Sequence, residues 1–121
     1  MLENKDYCDY ETSCTLYELG FTLDMTEKVY ERNLMANRYE TIPKPLLYEA
    51  QKWLREEKKI VVLVGFDFCP IISEIVYNWV IVVNGNSAKK SSYTYDYFEE
   101  ALSECIKEAV KILKEDETIH R

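Results

Sequence analysis

Glycine and proline are scarce in this chain, three of each in 121 residues, and there is a single histidine. The glycines, Gly20, Gly65 and Gly85, stand far apart. No glycine-rich turn opening a helix is therefore present to cradle a phosphate, and nucleotide-dependent chemistry has no support. The histidine, His120, is next to last. A catalytic cysteine needs a base nearby, usually histidine, to raise its thiolate fraction, so none of Cys8, Cys14, Cys69 and Cys105 reads as a nucleophile. Those cysteines also lack a Cys-x-x-Cys pair, and zinc needs four donors that converge at short range. The acidic group Asp6, Asp9 and Glu11 lacks the alternation and central glycine of a calcium loop. No catalytic set, metal or cofactor is expected. Paired carboxylates are not decided by spacing, because any two of the 22 acids could meet in the fold.

Long apolar runs are missing too. Residues 60–66 and 75–83 fall well short of the roughly 20 residues that span a bilayer, so they read as strands and no membrane association is expected. The opening residues, Met1 to Tyr7, lack the basic start and apolar stretch of a secretion signal. The expected location is the cytoplasm, with the cysteines as free thiols. A basic surplus is absent: the formal net charge is −7. That charge repels polyanions at long range and disfavours nucleic acid as a partner.

What remains is a globular composition, 47% hydrophobic with ten tyrosines and two tryptophans, at a length suited to one core. The expected fold class is α+β: a helix, a three-stranded antiparallel meander and a second helix (α-β-β-β-α) over residues 43–114, preceded by an N-terminal extension, 1–42, and followed by a frayed tail, 115–121. Pro45 suits the first position of the first helix, where its missing N–H goes unmissed. Leu46, Leu47, Ala50, Trp53 and Leu54 then share one face, and Lys58 and Lys59 suit the helix's negative end. In the strand over 60–68, alternation puts Ile60, Val62, Val64, Phe66 and Phe68 on a core face. Cys69-Pro70 breaks it. The next strand, 75–83, aligns Ile75, Tyr77, Trp79, Ile81 and Val83. Asn84-Gly85-Asn86 supplies a hairpin turn, and a third strand over 92–97 places Tyr93, Tyr95 and Tyr97 on the core face.

The last helix carries a continuous apolar face through Phe98, Ala101, Leu102, Cys105, Ile106, Ala109, Val110 and Leu113, and Asp96 with Glu99 has the spacing of a capping box. In the extension, residues 13–19 read as a short helix closed by Gly20 in the left-handed conformation, with Phe21 packing back. Residues 25–30 read as a strand and 33–38 as a loop.

If helices cover only one side of the sheet, Val61, Leu63, Val80 and Val82 are left on the other. Either the extension folds over that face, the simpler expectation, or a protein partner or a second copy does, which would make a homodimer.

Two resemblances follow. Glu18-Leu19-Gly20-Phe21, Ile42-Pro43-Lys44-Pro45 leading into Lys52-Trp53-Leu54-Arg55-Glu56, and Tyr97-Phe98-Glu99-Glu100-Ala101-Leu102 resemble small proteins of phages, prophages and mobile elements of gut Bacteroidetes. That resemblance implies a compact α+β protein without an assigned activity. The order helix, three antiparallel strands, helix, with Pro70, the Val83-Asn84-Gly85 turn and Glu100-Ala101 in comparable places, resembles the double-stranded-RNA-binding domain. That family contacts RNA through a histidine in the first strand connection and lysines at the start of the last helix. Here Cys69-Pro70-Ile71-Ile72-Ser73 and Asp96, Glu99, Glu100 stand there, and only Lys89 and Lys90 resemble a phosphate contact. The expectation is a non-enzymatic protein-interaction module acting through a protein partner or self-association, with a nucleic-acid-associated module as the alternative.

Overall fold

Helix α1 (Tyr10–Glu18) shows how local chemistry sets an element's ends. Its start is fixed by Asp9, whose carboxylate accepts the Thr12 backbone N–H at 2.8 Å. At its end, Gly20 takes φ 116. The Phe21 N–H then reaches the Leu16 carbonyl at 2.9 Å and the Gly20 N–H the Tyr17 carbonyl at 3.1 Å. This is a Schellman closure, and Leu16 and Phe21, both buried, make its apolar contact. The glycine stop and the packing of Phe21 are as expected; the helix begins earlier than residue 13 because Asp9 caps it. The structure, a computed structural model, describes residues 4–119. His120 lies outside them.

The rest of the N-terminal extension departs from the reading as a strand over 25–30 and a loop over 33–38. Strands β1 (Val29–Met35) and β2 (Arg38–Pro43) form an antiparallel hairpin with Met35 opposite Arg38. Asn37 takes the turn's left-handed position at φ 59. Only Tyr30 and Arg32 of β1 are half-buried, so the strand has almost no apolar alternation to display. Arg32 instead holds the hairpin together, pairing with Glu40, its register partner, at 2.6 Å and with Glu18 of α1 at 3.3 Å.

Helix α2 (Leu47–Glu57) starts two residues later than the position assigned to Pro45. The Pro45 carbonyl accepts the Cys8 N–H at 2.8 Å, and Leu46 bridges Tyr7, so this segment pairs with the N-terminus before the helix begins. Leu46 is the cap; Glu49 reaches back to its N–H at 2.8 Å. The reciprocal half of a capping box is missing because leucine has no acceptor. Leu47, Ala50, Trp53 and Leu54 are buried, and Lys59, past the end, donates to the Glu56 carbonyl at 2.8 Å.

Strands β3 (Ile60–Cys69), β4 (Glu74–Val83) and β5 (Asn86–Lys90) form a second antiparallel sheet in that order. Asn84 and Gly85 both have positive φ, 53 and 80, the paired left-handed turn that suits strand twist. The third strand therefore leaves the turn at once instead of occupying residues 92–97. That later segment pairs its backbone with the sheet at Tyr95, in an isolated bridge to Tyr77. Tyr95 packs against the core, but Tyr93 and Tyr97 are exposed. The expected tyrosine core stripe is not formed.

Helix α3 (Phe98–Ile119) crosses the sheet. Ala101, Leu102, Cys105, Ile106, Ala109 and Val110 are buried along the expected face. The Ala101 N–H bonds the Tyr97 carbonyl at 3.2 Å, which makes Tyr97 the cap residue and leaves Asp96 one place too early. The helix runs past residue 114 to Ile119. The core joins α1, α2 and α3 to one face of the sheet through Leu16, Phe21, Leu54, Ile60, Ile81 and Ile106, among others. Each such side chain contributes about 1.5–3 kcal/mol on full burial. Over the described residues the fold is mixed α+β, with three α-helices and two antiparallel sheets.

Candidate interaction surface

The two faces of the β3–β4–β5 sheet differ. Ile60, Val62, Trp79 and Ile81 belong to the core with the helices. The alternate row holds Val61, Leu63, Val80 and Val82. Val61, Val80 and Val82 are half-buried and Leu63 is exposed, while Val76, further along, is buried. The N-terminal extension does not cover this row as the simpler expectation had it. Cys8, Leu16, Leu19 and Phe21 join the core on the opposite side, and α1 packs on α3 and β2. The reason is the Tyr7 to Leu46 bridge and the Cys8 to Pro45 bond, which tie the N-terminus to the helix side.

Sequence alternation missed a larger feature. β3 and β4 are each ten residues long, and the core covers only the half nearer the Asn84-Gly85 turn. The other half projects as a two-stranded arm. Phe66 and Phe68 lie on the face expected to be core, yet they are 72% and 61% exposed. Ile75, opposite Phe68, and Ile71 and Ile72 in the connection are also exposed. Tyr77 and Phe98 meet edge to face at 6.1 Å where the arm joins the body. These exposed aromatic and branched side chains make an apolar patch at the end of the sheet.

The other candidate residues are placed as follows. Lys89 pairs with Glu108 of α3, and Lys89 and Lys90 are both exposed. Asp9 caps α1 and also pairs with Lys107 at 3.0 Å. Burial raises its pKa, but the Thr12 hydrogen bonds and Lys107 outweigh this and hold it below the usual aspartate value. Burial raises the Cys8 thiol well above its ordinary value, with Asp9 and Glu49 adding to it, and pushes Cys105 up to about 12. Both are poor nucleophiles. Among the described residues no group of His, Cys, Asp or Glu is placed to hold a metal ion, and no helix is long and apolar enough to cross a membrane.

A shallow cleft of about 440 Å³ lies between the N-terminus and the start of α3, lined by Tyr7, Asp9, Tyr30, Glu99 and Glu104 among others. Beside it the Lys44 ammonium sits 4.9 Å from both the Tyr7 and Tyr30 ring centroids. The protein's own cation thus occupies this aromatic pair.

No family model, no curated protein and no solved structure matches the chain.

Proposed function

We propose that this chain is a small non-enzymatic protein-interaction module of phage or mobile-element type, acting in the cytoplasm through the apolar surface of its three-stranded sheet. The framework for this reading is α2 followed by β3, β4, β5 and α3, with α1 and the β1–β2 hairpin as its brace. The observation that carries it is the arm: Phe66, Phe68 and Ile71, at 72%, 61% and 92% exposure, stand together outside the core. Leaving such side chains in water forfeits the burial energy that Ile60, Val62, Trp79 and Ile81 of the same sheet collect, so a use outside the monomer accounts for them. The row of Val61, Leu63, Val80 and Val82 lies on the other face of the same strands.

The nucleic-acid reading rests on Lys89 and Lys90. The Lys89–Glu108 pair weighs against it, as do Glu99 and Glu100 in the first turn of α3, since those carboxylates repel phosphate.

Affinity capture from host lysate tests the proposal, run with nuclease-treated and untreated halves and with wild type beside Phe66→Lys/Phe68→Lys. The expected result is a protein retained by the wild type in both halves and lost with the variant. Binding that vanishes on nuclease treatment would favour the alternative. A strict monomer by light scattering that captures nothing specific would end the interaction reading.

A further inference from the structure

β3 is an edge strand whose outer side is engaged at one end and bare at the other. On β4, Tyr77 and Trp79 direct their backbone groups toward Tyr95 and Ser91. The alternate residues of β4 therefore bond β3, through its residues 61, 63, 65 and 67. Val62, Val64, Phe66 and Phe68 consequently point their N–H and C=O groups away from the sheet. The Val62 carbonyl is taken by Gln51 Nε2 of α2 at 2.9 Å. Beyond the strand's far end stands Pro70, which has no N–H to offer. Between these limits Val64, Phe66 and Phe68 form an unpaired ladder among the described residues, and Phe66 is its middle.

The opposite edge of the sheet is protected. β5 is short and carries Lys89 and Lys90, the usual means of discouraging edge pairing. The bare part of β3, Val64-Gly65-Phe66-Asp67-Phe68, has one charge.

We propose that a second copy of this chain pairs with this edge, antiparallel and two-fold symmetric about Phe66, so that the sheets of two copies become continuous. The proposal rests on the reading of the arm as an interaction surface and names its occupant. Symmetry about Phe66 is the one register that uses all three outward residues of both copies. It sets Phe66 opposite Phe66 and Val64 opposite Phe68, aromatic and β-branched pairs that favour sheets. Moved one residue toward the tip, the axis would put Asp67 opposite Asp67 and Val64 opposite Pro70; moved the other way, it would need the Val62 position that Gln51 occupies.

With the axis at Phe66, Asp67 faces Gly65 of the second copy. There the Asn78 side chain lies across the glycine, its Oδ1 2.7 Å from where a β-carbon would be. The missing side chain thus leaves room for an amide and an incoming carboxylate to meet. The Phe66 and Phe68 rings, 72% and 61% exposed, offer about 500 Å² over two copies toward the roughly 1,000 Å² of a specific interface. Ile75, opposite Phe68, stands beside them.

The same register sets Leu63 opposite Cys69 of the second copy in a non-hydrogen-bonded pair, whose close Cα approach suits a disulfide. Within one chain those positions are about 20 Å apart along the strand and cannot bridge. The test is analytical ultracentrifugation of wild type and Phe66→Lys, with oxidative cross-linking of Leu63→Cys. Expected are a wild-type dimer, a Phe66→Lys monomer with unchanged circular dichroism, and a covalent Leu63→Cys dimer that is lost in Leu63→Cys/Cys69→Ser. A dimer dissociated by Phe66→Lys but without the 63–69 bridge would overturn the edge pairing and spare the arm as a contact surface. A wild-type monomer at its highest soluble concentration would overturn the second copy as occupant. The capture experiment on Phe66→Lys/Phe68→Lys then decides separately whether the arm binds anything.

Discussion

The Trp79 indole N–H donates to the Tyr95 hydroxyl at 3.1 Å. Trp79 is buried at the centre of β4, and Tyr95 comes from the irregular segment that precedes α3, so this one bond ties the sheet to the approach of the last helix. Because Tyr77 and Tyr95 also exchange backbone bonds at 2.8 Å each, the segment is pinned at two adjacent points.

Tyr95→Phe keeps the ring and removes the acceptor. The buried indole N–H is then left without a partner, which costs about 1–3 kcal/mol. Urea denaturation should show a lower midpoint with an unchanged slope. Tyr97→Phe, at an exposed position, should stay within about 0.5 kcal/mol of wild type.

Gly20→Ala should destabilise by about 1–2 kcal/mol, the penalty for a β-carbon in the left-handed region. The cause is conformational and not steric, since the nearest atom to an added β-carbon is Trp53 Cζ2 at an ordinary 3.8 Å. A thermal melt with a tight sign distinguishes the two: Gly20→Asn, which tolerates positive φ better, should recover part of the loss. Equal losses for the two variants would refute the conformational account.

Asp9 predicts a pH dependence. Its pKa in the folded chain lies below the ordinary 3.8, so the folded state prefers the charged form. The stabilisation is fully present above about pH 4 and is lost as pH falls from there through the folded value. Glu108, lowered first by its bond from Lys89, has the same sign. Asp9→Ala removes the cap and should cost about 1 kcal/mol at pH 7. Its deficit against wild type should shrink as chemical denaturation is repeated toward pH 3; a constant deficit would show that charge plays no part.

The thiols should divide into two pairs. Cys8 and Cys105 are buried and their thiolates are disfavoured, whereas Cys14 and Cys69 are half-exposed. Iodoacetamide at pH 8 on dilute native protein, followed by peptide mass mapping, should label Cys14 and Cys69 and reach Cys8 and Cys105 only after denaturation. Early labelling of Cys105 would mean that α3 lifts from the sheet.

Local chemistry was legible where it acts alone. The Gly20 stop, the Asn84-Gly85 turn, the apolar face of α3 and the lysines ending α2 follow from backbone sterics, helix periodicity and the helix dipole, all of which a short stretch of sequence contains. Placement was not legible where it depends on a partner from elsewhere. Pro45 looks like a helix start until Cys8 takes its carbonyl, and the β1–β2 hairpin is held by the Arg32–Glu40 pair instead of an apolar stripe. Alternation assigned Phe66 and Phe68 to the core face correctly as a face, but the reach of the helices decides how much of that face is covered. The sequence by itself determined a mixed α+β chain with these punctuation marks. Only the tertiary structure decided that β3 outruns its helices and that Gln51 closes one end of its edge, because burial and edge pairing are set by residues distant in the chain.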